Sequence, residues 1–203
     1  MIRWFLISFS YIFHPLFIPA YTTTLFYIIS PKFIPKPELI TNLFSLILIS
    51  CFFPLIVYVI LLKFNKVSTI HLKSPKERTI PLVIQAITYI MIGLIIFQDF
   101  KYLELKLFFW ASGLSALIAL AFTLNNIKAS LHMIALSALV VFCVFLSIFY
   151  QINILKGLIL GTILIALTCI SRLIMKAHNL KEIIWGIIIG IVPQLMMFLF
   201  YKM

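Results

Sequence analysis

The chain has 203 residues, of which 64% are hydrophobic and 10% charged, and twenty are phenylalanine; soluble domains average roughly 45–50% and about 25%. A water-soluble domain of this length could not hide so much apolar surface, so lipid is the solvent for most of it and soluble fold classes are excluded. The net charge of +11 sits in short connections between apolar runs, where anionic lipid headgroups are the nearest partners, an anionic substrate is the second candidate, and no nucleic-acid partner is expected.

A membrane-crossing helix needs about 20 mainly apolar residues, and seven stretches approach that length. The first, residues 4–30, is interrupted by Pro15 and Pro19, which predicts a kinked or partly re-entrant segment. No small-residue cleavage site follows its apolar start, so it reads as a retained span and not a removed leader. Its His14 is expected to hydrogen-bond a neighbouring helix, as are Gln85 and Gln194 further on. The second and third stretches are residues 43–62 and 81–97. The fourth covers 107–124, the fifth 132–150, the sixth 154–170, and the last 183–201, with a kink expected at Pro193. Cys51, Cys143 and Cys169 lie inside apolar runs and read as packing residues. Trp4, Trp110 and Trp185 suit interfacial anchoring. The fold class is thus all-α: one polytopic bundle over residues 1–203, with six or seven membrane helices.

Parity sorts the connections into two populations. One face receives Lys63, Lys66, His71, Lys73, Lys76, Glu77 and Arg78, then Asn125, Asn126 and Lys128, then Arg172, Lys176, His178, Lys181 and Glu182. The other receives Lys32, Lys36, Glu38, Asp99, Lys101, Glu104, Lys106 and Lys156. The first face, with Arg3, carries ten Lys and Arg against six on the other, Lys202 included. That bias places the crowded face in the cytoplasm, unless several of its cations serve an anion site.

Chemistry-bearing residues gather on that crowded face, where ionisable groups at span boundaries are functional candidates. His178 and Glu182 are four residues apart and share one face of a helix. A carboxylate there can accept the imidazole N–H and leave the other ring nitrogen as nucleophile or base. Arg172 supplies a permanently charged planar fork suited to phosphate oxygens. His132, at the head of the fifth stretch, could protonate a leaving group. The cations around residues 71–81 could complete an anion pocket.

Three segments in order resemble the signatures of the type 2 phosphatidic acid phosphatases (the PAP2, or lipid phosphate phosphatase, family). The family's third signature is Ser-Arg, five residues, His, three residues, Asp; here Ser171-Arg172 is followed after five residues by His178 and after three more by Glu182, with Gly186 beyond. The second, Pro-Ser-Gly-His, is matched by Ala129-Ser130-Leu131-His132. The first, Lys, six residues, Arg-Pro, is matched loosely by Arg78, with Thr79 and Ile80 before Pro81, His71 at the lysine spacing, and Lys73 or Lys76 as substitutes. The chain departs from the pattern in Glu182 for Asp, Leu131 for Gly and the eroded first motif.

The resemblance implies a family-like core over about residues 66–203 and a phosphatase acting on a phospholipid or isoprenoid phosphate without metal or cofactor. His178 would form a phosphohistidine, oriented by Glu182. His132 would protonate the leaving oxygen. Arg172, Arg78, Lys73, Lys76 and Ser130 would hold the phosphate. The family places its site on the extracytoplasmic side of the cell's inner membrane, and that orientation is the expectation taken here. The alternative is a non-catalytic member that binds phospholipid headgroups or a membrane partner. A small transporter would need charged or broken helices near the midplane, where this sequence has only scattered Ser, Thr, Gln and His14.

Overall fold

In the computed structural model the described residues are 8–65, 67 and 74–202, the last without its side chain. Arg3, Trp4, Lys66, His71 and Lys73 lie outside them. The described chain is all-helical. Its helices are α1 (Ile18–Ile29), α2 (Lys36–Lys63), α3 (Thr79–Ile95), α4 (Leu103–Leu124), α5 (Leu131–Tyr150), α6 (Leu155–Ile174) and α7 (Leu180–Lys202). Short 3₁₀ turns, Lys76–Arg78 and Phe100–Tyr102, lead into α3 and α4. Counted with those turns, the helices from α2 to α7 are six that are long and apolar enough to cross a bilayer, and the chain is an integral membrane protein.

The first predicted stretch is not one continuous helix among its described residues. Residues 8–12 are helical, the helix breaks over 13–17, and α1 then has 12 residues. At 1.5 Å per residue that is about 18 Å, short of a ~30 Å hydrocarbon core. Pro15 lacks the N–H and the preceding-residue freedom that a helix requires, whereas Pro19 falls in the first turn of α1, where the missing donor costs nothing. In α2, Pro54 would press its ring against the carbonyl four residues back; the helix widens to a π-turn over Leu48–Phe52 just before it, and Phe53 N–H reaches the Leu48 carbonyl.

Several helices run past the limits of the apolar runs. The α6 helix continues to Ile174, so Ser171 and Arg172 form its last turn and not a connection, and the fourth span begins at Phe100. Hydropathy stops at the first polar residue, but a helix does not when that residue finds a partner at the interface. In their most apolar windows 44% of the residues of α4 and α5 are buried, against 17% in α2 and 11% in α6. The bundle is therefore centred on α4 and α5, with α2 and α6 turned to lipid.

Small residues set how closely α7 approaches α5. A β-carbon on Gly186 would lie 2.6 Å from the Ser130 carbonyl oxygen, and one on Gly190 would collide with Ser137 Oγ and the Ile134 carbonyl. Without driving force from water, such close backbone packing and interhelical hydrogen bonds are what hold membrane helices together. Ser115 Oγ donates to the Ile189 carbonyl at 2.9 Å, and Gln194 Nε2 donates to the Phe108 carbonyl at 3.2 Å, both joining α4 to α7.

At the membrane end away from residues 125–130 and 175–179, Glu104 is fully buried. Lys32 Nζ meets both its carboxylate oxygens at 2.7 Å, and the hydroxyls of Tyr150 and Tyr201 donate to Oε1 at 2.9 and 3.4 Å. What reads in the sequence as a solvated connection is a knot joining the residue 30–35 connection to α4, α5 and α7.

Candidate functional site

The alternating spans bring residues 74–78, 125–130 and 175–179 to one end of the bundle. Two of these connections leave their helices by the same device. Asn126 has φ 58° and Lys176 φ 52°. In each, the residue with left-handed φ bonds back three positions and the next residue five: Asn126 to Thr123 and Ile127 to Phe122, Lys176 to Leu173 and Ala177 to Arg172. This is the Schellman arrangement, which satisfies the last carbonyls of α4 and α6 and turns the chain sharply toward α5 and α7. The third connection enters α3 through a reciprocal cap, with Ser74 N–H to Glu77 Oε2 and Glu77 N–H to Ser74 Oγ, each 3.4 Å.

His178 and Glu182 do meet, by a route other than a shared helical face. His178 precedes α7; Asn179 caps that helix, its Oδ1 accepting Glu182 N–H at 2.9 Å and its Nδ2 donating to Glu182 Oε1 at 3.3 Å. The other carboxylate oxygen, Oε2, lies 2.6 Å from His178 Nδ1. Asn179 thus caps α7 and also holds the Glu182 side chain, and the carboxylate at the positive end of α7 is held at both oxygens. Nδ1 carries the proton toward Glu182, which leaves Nε2 with the lone pair. The Ser130 backbone N–H donates to the Glu182 carbonyl at 3.0 Å and ties the head of α5 to this pair.

Around it stand the cations. Arg78 is 5% exposed and donates from Nη1 to the Ala129 carbonyl at 3.0 Å. Lys128 donates to the Ala177 carbonyl at 3.1 Å. Arg172 Nη1 is 3.5 Å from His132 Nε2, and that nitrogen is 3.2 Å from the Ser10 carbonyl. A carbonyl only accepts, so Nε2 carries the His132 proton and Arg172 lies beside the ring without a hydrogen bond to it. In this cluster two buried donors, Ser130 Oγ and Arg172 Nε, have no hydrogen-bond partner among the described residues. Orphaned donors of this kind cost about 1–3 kcal/mol each and would be relieved by an anion's oxygens.

Burial, then Arg78, Lys128 and Arg172, push His178 down from its ordinary 6.5 to about 3. Its ring is therefore neutral at physiological pH. Burial also lowers Lys128, with Arg78 and Arg172 adding to the effect and Glu182 opposing it. Arg78, Lys128 and Arg172 outnumber Glu182 and the Glu77 carboxylate that also acts on Arg78, so the group carries a net positive charge suited to an anion.

Of the residues singled out from sequence, the structure gathers His178, Glu182, His132, Arg172, Arg78 and Ser130. Lys76 is exposed on the 3₁₀ turn and joins none of these contacts; two residues from Arg78 on a three-residue period, it points away from it. Lys73 lies outside the described residues. Four participants were not assigned to the site from sequence. Lys128 and Asn179 sit beside assigned residues, and the Asn-x-x-Glu pattern before an apolar run was a readable capping signal. The other two come from the N-terminal segment. His14 was expected to bond a neighbouring helix; instead its ring sits edge-on to His132 at 5.2 Å, and its Nδ1 accepts the Leu16 N–H. Ser10 contributes its carbonyl to His132 and its hydroxyl to Ser171 Oγ at 2.7 Å. No sequence pattern pointed to that segment.

No family model, curated protein or solved structure matches the chain. What the site can do is therefore read from its own residues. Among the described residues no three His, Cys, Asp or Glu side chains gather to hold a metal ion. The gathered groups suit nucleophilic attack by a neutral imidazole on an anion held by guanidinium and ammonium groups.

Proposed function

We propose that the protein is a membrane phosphatase that removes the terminal phosphate of a lipid phosphate or isoprenoid diphosphate, without a metal, through a phosphohistidine on His178. The observation that carries this reading is the meeting of an oriented, neutral His178 with His132, Arg172, Arg78 and Lys128 from segments remote in sequence. The His178 Nε2 lone pair attacks phosphorus and the P–O bond to the lipid breaks. The departing oxygen takes the Nε2 proton of His132, which acts as an imidazolium with Nδ1 also protonated and is left neutral, once the substrate has freed Nε2 from the Ser10 carbonyl. Water then attacks the phosphohistidine, His132 takes its proton, and inorganic phosphate leaves with His178 restored. The site would open on the extracytoplasmic side of the inner membrane, as in the family the motifs resemble.

Purified protein in detergent is expected to release phosphate from such lipids with EDTA present. His178→Ala should abolish release without loss of folding, and Arg172→Ala should reduce it about 10²–10³-fold, the scale of a lost transition-state donor. Full activity in His178→Ala refutes the mechanism. The engagement of Arg78 and His132 by backbone carbonyls supports a second reading, a headgroup-binding protein without turnover. That reading predicts saturable binding of a lipid phosphate, no release, and no phosphohistidine trapped by a slow substrate.

A further inference from the structure

A cavity of about 110 Å³ runs from Arg78 into the bundle. Its walls include Gln85 and Tyr89 on α3, Ala116 and Ala119 on α4, and Ala135 on α5, with Ile18 of α1 at the side. These positions follow one another down single helix faces, at spacings of three and four residues. The cavity exists because α4 packs mainly on α3 and α7, and α5 on α6 and α7, so that α4 and α5, consecutive in the chain, touch little. Alanines on the facing surfaces keep the gap open. Tyr89 and Phe108 line its deep end, where Tyr89 packs on Phe109 at 5.9 Å and Phe108 on Phe142 at 4.9 Å.

We infer that this cavity is a slot for one apolar chain of a phosphate-bearing amphiphile whose head rests at the Arg78 end. Continuity identifies the occupant, because Arg78 belongs both to the cation cluster and to the slot's mouth. Size sets the number of chains. From Arg78 to Tyr89 is eleven residues of helix, about 16 Å and roughly half of a ~30 Å bilayer core. Spread over about 16 Å, that volume leaves a mean cross-section of roughly 7 Å² for the centre of a water-sized group. That is room for one chain and not for two abreast. A diacyl lipid would have to leave its second chain outside, among α2, α6 and the bilayer. The slot thus selects single-chain phosphates, whether alkyl or prenyl, over two-chain ones. It depends on the phosphatase reading only for the nature of the head group that anchors the chain.

The test uses the full-length protein in detergent and a non-hydrolysable long-chain alkyl phosphonate carrying a diazirine at the end of its chain, so that no turnover is needed. Photolabelling is expected at Tyr89, Phe108 or Ser112; labels confined to outward-facing residues such as Ile87 and Leu94 overturn the slot. Ala116→Leu fills the bore halfway and should weaken the long-chain phosphonate about tenfold relative to a short one, the scale of methyl groups forced into filled space. An unchanged ratio overturns it. Tyr89→Leu should admit longer chains, a gain that damage to the fold does not produce. A prenyl phosphonate should compete with the alkyl probe and a diacyl phosphonate should not; equal competition by the diacyl compound overturns single-chain selection. Phosphate release from a short water-soluble ester, which does not need the slot, is measured separately. Release without deep labelling sinks the slot and leaves the phosphatase, and deep labelling without release does the reverse.

Discussion

Replacing Gly186 by alanine tests whether the α5–α7 contact sets the geometry of the site. The new β-carbon would lie 2.6 Å from the Ser130 carbonyl oxygen and 2.9 Å from Met133 Cβ, whereas ordinary contact begins at 3.4 Å, so about 0.8 Å must be found by parting the two helices. The obstructing atoms are a backbone oxygen and a β-carbon, neither of which can swing aside as the end of a long side chain does. Overpacking of this kind costs about 1–3 kcal/mol, or roughly 2–12 °C in melting temperature for a chain of this size. The same displacement pulls Ser130 N–H from the Glu182 carbonyl, and with it the head of α5 from the His178–Glu182 pair. Misplacement approaching 1 Å can cost about 100-fold in rate. Thermal unfolding in detergent and phosphate release are the two assays. Gly157→Ala is the control, because a β-carbon there meets nothing within 4 Å; it should be neutral or stabilising by up to about 1 kcal/mol. If Gly186→Ala unfolds at the wild-type temperature and matches the control in rate, the packing account is wrong.

The buried knot at the opposite end makes a second test. Lys32→Met strands the fully buried Glu104 carboxylate and should cost about 3–5 kcal/mol; adding Glu104→Gln, which still accepts from Tyr150, should recover most of it in thermal unfolding. Failure of the double variant to recover would remove charge burial as the cause. The third concerns pH. Folding lowers His178 from 6.5 to about 3, so between those values the unfolded chain binds the extra proton. Its stabilising contribution is complete above pH 6.5 and is lost as pH falls toward 3, with a slope of up to about 1.4 kcal/mol per pH unit. Melting temperatures measured from pH 8 to pH 4 should fall more steeply for the wild type than for His178→Gln, and parallel curves refute the shift.

Which ionisable groups gather at one end of the bundle was legible where local rules suffice. His178, Glu182, Arg172, His132 and Arg78 stand out because ionisable groups at span boundaries are rare and costly. The reason given for the His178–Glu182 pair was incomplete, since Asn179 and the start of α7, not a common helical face, hold the two side chains together. Ser10 and His14 were invisible because nothing local distinguishes them; the Ser10 carbonyl reaches a partner 122 residues away. Glu104 and Lys32 read as solvated for the same reason: burial of an ion pair is a property of the whole bundle.

Sequence alone determined that this chain lives in a membrane, that its long elements are helices, and which of their ends share a face. Transfer to lipid is close to additive along the chain, and each helix satisfies its own backbone, so both can be read without knowing the neighbours. Only the tertiary structure decided that the first apolar stretch is broken into two helical pieces, that two imidazoles are joined by a third, and that a narrow slot descends from Arg78. Those outcomes turn on how closely helices approach, which Gly186, Gly190 and the facing alanines set across distances that no local pattern encodes.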